Sequence, residues 1–277
     1  MPASPPPTLP TDLPVLQAGD PDARTALVLH GGGGLRTVAP VVAHLASTLH
    51  ACAPTHPGWD GTERPGSIGS IADLATAYLT RLLEHGERDV VLVGSSIGGW
   101  IALEVAVQAA VRAGADERCA GLVGAVVVVD GVGAVVDGEP IADFFALDAR
   151  GLAEAAWHDP ERGHLDPAGL SDEQRALQQG NAATMAVVAG RSMSDPTLLE
   201  RLGAVAVPTL VAWGASDRIV TPAYGRAVAR AVPGAQFVEV PAAGHLPHLE
   251  NPEATWAAID SFLLAQASCA PPAADRR

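Results

Sequence analysis

A mostly parallel β-sheet flanked by helices, interrupted by an inserted helical cap, is the fold class that this 277-residue sequence predicts. Three observations carry it. Short apolar runs rich in β-branched residues alternate with longer stretches of helical periodicity, the pattern of an α/β protein. The alternation stops between Gly131 and Leu202, where polar helical pieces punctuated by Pro and Gly take over, and then resumes. With 48% hydrophobic and only 17% charged residues, the chain can bury a sizeable core.

The elements follow in order. Residues 1–12 are Pro-rich, have no basic or apolar leader pattern, and are expected to form a disordered tail. Ala26–Leu29 reads as a buried strand ending in glycines, Thr37–Leu49 as a helix and Leu49–Ala53 as a second strand. Ile68, Ile71, Leu74, Ala75, Tyr78, Leu79 and Leu82 recur at spacings of three and four, one apolar stripe of a helix. Val90–Val93 reads as a central strand, Ile97–Ala113 as the next helix, and Leu122–Val129 as a strand covered on both faces. Residues 131–202 form the expected cap. Pro208–Trp213 and Gln236–Val240 are then strands, with Pro222–Ala231 and Pro252–Ala265 as helices. The core is thus expected at 13–130 and 203–266, with a loose tail over 267–277.

Composition excludes several functions. All 17 basic residues are Arg, so pyridoxal Schiff-base chemistry, lysine-dependent aldolase chemistry and a P-loop lysine are ruled out. The formal charge of −14, with no basic run, argues against nucleic-acid or anionic-membrane partners and reads as solubility; the expected partner is a small-molecule substrate. Cys52, Cys119 and Cys269 lack metal or disulfide spacing and read as free thiols. The most apolar stretch, Gly121–Val136, is broken by Asp130 and glycines, short of the ~20 residues of a membrane span. A soluble cytoplasmic protein is expected; the sequence leaves oligomeric state open.

The strongest local signal is Gly94-Ser95-Ser96-Ile97-Gly98-Gly99 between a strand and a helix. This is G-x-S-x-G in the context that gives it meaning: the turn is too sharp for side chains two residues either side of the serine, and it presents the Ser96 hydroxyl at its tip. The helix N-terminus beyond points amides at developing negative charge. A serine hydroxyl needs a base, and with no lysine that base is a histidine. His245, beside Gly244 after the last strand, can project over the sheet's carboxyl edge; His248 is its competitor, expected to cap or pack. The acid is Asp217, four residues beyond a strand, or Asp130 at the end of another; both strand ends lie where open parallel sheets collect ligands. His30-Gly31-Gly32-Gly33-Gly34 lets backbone approach a substrate oxygen, so an amide here and that of Ile97 could form an oxyanion hole. A dinucleotide site is excluded there because Arg36 stands where the third glycine belongs.

From about Leu13 to Leu264 the chain resembles the α/β-hydrolase fold superfamily, in its serine-hydrolase branch. The motifs, in order, are the His30-Gly31 loop, Pro57-Gly58-Trp59-Asp60-Gly61-Thr62-Glu63-Arg64-Pro65, the turn at Ser96, Gly214-Ala215-Ser216-Asp217, and Gly244-His245 followed by Glu250-Asn251-Pro252-Glu253. The resemblance implies Ser96, Asp217 and His245 as the catalytic triad, Gly32 and Ile97 as oxyanion donors, and no cofactor or metal. Serine at the turn departs from haloalkane dehalogenases and epoxide hydrolases, which use aspartate. Gly98-Gly99-Trp100-Ile101-Ala102 is similar to meta-cleavage-product hydrolases, enol-lactonases and small esterases, although Ser95 and Leu246 replace the Asn and Trp usual in the first of these. The expected activity is hydrolysis of a small, mainly apolar ester or lactone; carbon–carbon bond hydrolysis and a non-hydrolytic binder, lyase or oxygenase are the alternatives. Trp100 is the expected substrate contact, and Phe144, Phe145, Trp157, Met185 and Met193 are expected over the pocket.

Overall fold

A computed structural model describes residues 7–269. A seven-stranded sheet forms its centre, in the order β1-β3-β2-β4-β5-β8-β9. The strands are β1 (Val15–Ala18), β2 (Thr25–Leu29), β3 (His50–Pro54), β4 (Val90–Ser95), β5 (Val123–Val129), β8 (Thr209–Gly214) and β9 (Gln236–Val240). Only β1 runs antiparallel, pairing with β3 at one edge. Every residue of β4 and β8 is buried, as a parallel sheet covered on both faces requires.

One face is covered by α2 (Ile71–Glu84), α3 (Ile97–Arg112) and α8 (Pro222–Ala231), the other by α1 (Ala39–Leu45) and α10 (Pro252–Cys269). α2 shows how local chemistry sets these elements: the Ser70 hydroxyl accepts the Asp73 amide at 3.1 Å and starts the helix, and Ile71, Leu74, Ala75, Tyr78, Leu79 and Leu82 are buried. Between β5 and β8 lie β6 (Gly133–Ala134), α4 (Ala149–Ala156), α5 (Pro160–Gly163), α6 (Asp172–Val188), β7 (Ser194–Asp195) and α7 (Leu198–Arg201). α9 (Pro247–Glu250) follows β9.

The sheet and its order of helices match the predicted fold class, with six local corrections. The helix expected over Thr37–Leu49 is α helical only over Ala39–Leu45, flanked by a tight turn of helix at Leu35–Val38. The stripe's first member, Ile68, precedes α2, because the Ser70 cap places the helix start at Ile71. β1 was not expected: four residues at a sheet edge carry no long pattern. Residues 131–202 are not wholly helical, since Gly133 and Ala134 pair with Ser194 and Asp195. Within the Pro-rich lead-in, Leu9 packs against the larger core, because an extended Pro-containing segment can still bury an apolar side chain. At the other end α10 runs on to Cys269, past the expected core limit at 266. The remainder of both expected tails, 1–6 and 270–277, and the Cys269 thiol lie outside the described residues; Cys52 and Cys119 are free. No helix among the described residues is long and apolar enough to cross a membrane.

Candidate active site

The chain leaves β2 for β3 on one side and later enters β4 on the other, so the carboxyl ends of β2 and β4 flank the sheet's switch point, where ligands bind in folds of this kind. Ser96 stands there, at the start of α3, with φ 57° and ψ −120°. Such a backbone costs ~1–3 kcal/mol and persists only where its surroundings fix it. They do: the Ser96 amide donates to Val129 O at 2.9 Å, and its carbonyl accepts the amides of Gly99, Trp100 and Val132. A Cβ on Gly94 would come within 2.1 Å of Gly98 O, and one on Gly98 within 2.0 Å of Leu29 O, which is why the turn needs glycine at both positions.

The structure brings the three residues singled out for catalysis together. The Ser96 Oγ lies 2.9 Å from His245 Nε2, and His245 Nδ1 lies 2.7 Å from Asp217 Oδ2. With Asp217 accepting at Nδ1, the imidazole carries its proton there and leaves Nε2 free to accept from Ser96. Asp217 Oδ1 in turn accepts the amides of Ile219 at 2.8 Å and Val220 at 3.2 Å, which fixes the carboxylate. Exposure is 8% for Ser96, 8% for His245 and 3% for Asp217, so this cluster is closed to bulk water.

Gly31 packs on Ser96: a Cβ there would meet Ser96 Cβ at 3.0 Å. The next residue, Gly32, faces the Met185 sulfur of α6 and Ile97 Cδ1. The amides of Gly32 and Ile97 donate to no protein acceptor among the described residues, as unpaired donors at a helix N-terminus and a turn do. Trp100 is 5% exposed, its indole covering Gly133, so it belongs to the wall beyond β5. Of the competing candidates, His248 packs as expected: it is 2% exposed and donates from Nε2 to Thr37 O at 3.0 Å, and burial pulls its pKa down to about 4. Asp130 is fully buried beside the cluster and accepts the Gly214 amide at 2.8 Å.

Two groups hold roles that the sequence did not reveal. Beneath the glycine loop, His30 and His56 are fully buried. His30 donates from Nδ1 to Gly31 O at 2.8 Å and accepts the His56 amide at Nε2; His56 donates from Nε2 to His30 O and accepts Tyr78 Oη–H at Nδ1, at 2.6 Å. Every ring nitrogen is used, so both rings are neutral, and burial lowers the His30 pKa to about 4 and that of His56 further below its ordinary value. The second is Glu250, whose carboxylate accepts the amides of Gly244 at 2.6 Å, His158 at 3.0 Å and Asp159 at 3.2 Å. It thereby joins the loop carrying His245 to the segment between α4 and α5.

Residues 131–202 contact the site through the same region and through α6. The His245 amide donates to Ala156 O and the Arg218 amide to Ala155 O. On α6, Asn181 bonds both the amide and the carboxylate of Asp60, Thr184 donates to Gly58 O, and Met185 covers Gly32. Phe144 and Phe145 stack edge to face, with Arg191 over the Phe145 ring at 5.2 Å; Met193 is in the core and Trp157 packs on Gly163. A cavity of about 320 Å³ lies here, walled by residues of Ala134–Asp143 and Arg191–Ser194, and another of about 360 Å³ lies between Gly58–Arg64 and α6; neither has Ser96, Asp217 or His245 in its walls.

Among the described residues, one trio of His, Cys or acidic side chains has ligand atoms close enough to share a metal ion: Asp130, Asp217 and His245, within 4.8 Å of one another. A metal there would need a ring nitrogen of His245, and both are already engaged, Nδ1 with Asp217 and Nε2 with Ser96. The hydrogen-bonded serine, histidine and carboxylate, backed by free amides, can instead move a proton from a hydroxyl and hold an oxyanion.

Comparison with known proteins agrees with this architecture. The family model described as "Alpha/beta hydrolase family" matches residues 26–258, and the chain belongs to that family. A Mycobacterium tuberculosis protein named as a non-heme bromoperoxidase, BpoC, is 46% identical over 59 residues, covering 21% of this chain and 22% of its own. A pimeloyl acyl-carrier-protein methyl ester esterase of Stenotrophomonas maltophilia is 30% identical over 129 residues, 46% of each chain. These matches span less than half the length of either curated relative. The structure of a thermophilic esterase from Thermogutta terrifontis superposes with a TM-score of 0.71 at 20% identity, over 94% of this chain and 97% of that one, a likeness of fold.

Proposed function

We propose that the protein is a serine hydrolase acting on a small, mainly apolar ester, lactone or related carbonyl compound through an acyl-enzyme. The observation that carries this reading is the unbroken run of contacts from Ser96 Oγ through His245 to Asp217. Ser96 Oγ attacks the carbonyl carbon as its proton passes to His245 Nε2; the imidazolium is held by Asp217 through Nδ1–H. The carbonyl electron pair moves to oxygen, which accepts the Gly32 and Ile97 amides. When the tetrahedral species collapses, His245 returns the proton to the leaving alcohol, and the acyl group stays on Ser96. Water then repeats the sequence, giving up its proton to Nε2 and releasing the acid.

No step needs a metal or organic cofactor. Residues 131–202 act as the cap over this site, and its opening admits substrate, since Ser96 and His245 are nearly closed to solvent. Met185 and Ile97 beside Gly32 give the acyl side an apolar surface, and Trp100 borders it; the similarity to an esterase of methyl esters supports an ester substrate. The free thiols of Cys52 and Cys119 fit a cytoplasmic setting.

A burst of p-nitrophenol from p-nitrophenyl acetate, stoichiometric with enzyme and followed by slower turnover, is expected. Ser96→Ala removes the burst and lowers kcat/KM by at least ~10³-fold. Equal inactivity of wild type and Ser96→Ala toward esters, lactones and a fluorophosphonate probe overturns the reading.

A further inference from the structure

Asp130 is a buried carboxyl for which the reaction above has no use. It ends β5 with a φ of 47°, and its side chain is shut off from solvent. Oδ1 accepts the Gly214 amide at 2.8 Å; Oδ2, equally buried, receives no donor. Asp130 offers one carboxylate oxygen to a trio with Asp217 and His245 whose polar atoms all lie within 4.8 Å of one another, and its carboxyl faces that of Asp217.

Two carboxylates that face each other without water or a cation between them do not both ionise; one keeps a proton. The donors decide which. Asp217 accepts three N–H groups, from Ile219, Val220 and the His245 imidazole that becomes a cation during turnover. Asp130 accepts one. The charge therefore rests on Asp217 and the proton on Asp130, and an Oδ2 that lacks a donor because it is itself a hydroxyl explains the unpartnered atom. The charged or titratable groups facing Asp130 are Asp217, His245 and, farther off, Glu250. Burial, the Asp217 charge and then Glu250 push the Asp130 carboxyl well above its ordinary range, against the pull of the Gly214 amide.

We propose that Asp130 and Asp217 are a carboxyl pair sharing one proton, in which neutral Asp130 donates to Asp217 and fixes the orientation that lets Asp217 accept from His245. Asp130 is thus a positioning residue, and only its consequence for activity rests on the serine-hydrolase reading. Asn at 130 reproduces the neutral carboxyl: Oδ1 still accepts from Gly214 and Nδ2–H still donates to Asp217. Leu fills the same space and does neither.

The test has two arms. In infrared difference spectra of the intact protein at pH 7, wild type minus Asp130→Asn, a protonated-carboxyl band is expected, and it needs no catalysis to appear; a carboxylate band in its place overturns the proposal. In ester hydrolysis, Asp130→Asn stays within about threefold of wild type, whereas Asp130→Leu loses about tenfold or more in kcat with KM little changed. Loss in Asp130→Asn equal to that in Asp130→Leu overturns it too. Should wild type and Ser96→Ala prove equally inactive, the hydrolase reading fails while the spectrum still decides the protonation of Asp130.

Discussion

Glu250 shows how one side chain can serve two loops. Both of its oxygens face backbone amides, Oε2 toward Gly244 and His158, Oε1 toward His158 and Asp159. Gln in its place turns one oxygen into a second donor set against those amides, leaving a buried amide unpaired at ~1–3 kcal/mol. Because Gly244 precedes His245, we expect Glu250→Gln to lower kcat by about tenfold or more, as small displacements of reacting groups do. Denaturant melts and steady-state kinetics measured together check this; a stability loss with kcat unchanged refutes the positioning role. A second residue-scale expectation concerns Gly98, where a Cβ would come within 2.0 Å of Leu29 O, a backbone atom that cannot yield. Gly98→Ala is expected to cost about 3 kcal/mol or more, or to prevent folding, in thermal melts. The need for Gly98 was legible because the motif is local; Glu250 was visible only as part of the resemblance, since its partners at residues 158 and 159 are remote in sequence.

Among the elements, α6 makes the side-chain contacts that fasten the intervening segment to the glycine-loop side of the site. Asn181 bonds Asp60 twice, and Asp60 Oδ2 also accepts the Leu35 amide at the end of the glycine loop, so one carboxylate touches both α6 and that loop. Asn181→Ala removes both bonds to Asp60 and is expected to ease opening of α6 by ~1–3 kcal/mol. Hydrogen exchange measures this directly: α6 amides should exchange faster while those of β4 and β5 do not change; uniform acceleration marks general destabilisation instead. This latch was not legible in sequence, although the elements it joins partly were. Strand ends announce themselves by apolar runs followed by glycine or a polar residue, so Ser96, Asp217 and His245 could be placed on one sheet edge. Contacts between the inserted segment and the loops follow from how rigid pieces meet, which periodicity does not encode. The same reason hid β1 and the pairing of Gly133–Ala134 with Ser194–Asp195, stretches too short for a repeating pattern.

For the molecule as a whole, the buried histidines set the response to acid. His30 and His248 have folded pKa values of about 4 and His56 is lowered as well, in each case chiefly because burial penalises the charged ring. In the unfolded chain each titrates near 6.5. Below that pH the unfolded state binds protons that the folded state refuses, so each group removes about 1.4 kcal/mol of stability per pH unit as pH falls from ~6.5 toward the folded value. Asp130 acts with the opposite sign: its raised pKa keeps the proton in the folded state, so its contribution is full below the unfolded carboxylate value and declines as pH rises. Across the window from ~6.5 to ~4 three histidines pull against a single acid, and the net direction is a loss of stability as pH falls. Urea melts between pH 7 and pH 4.5 should show this decline, and substitutions should divide it. His248 donates from Nε2 to Thr37 O while its Nδ1 has no partner, so His248→Gln keeps the donor without the titration and should reduce the slope by about 1.4 kcal/mol per pH unit. Asp130→Asn should raise stability at neutral pH and steepen the acid decline by removing the opposing term. A slope unchanged in His248→Gln would mean that the acid response lies in the surface carboxylates of this strongly acidic chain.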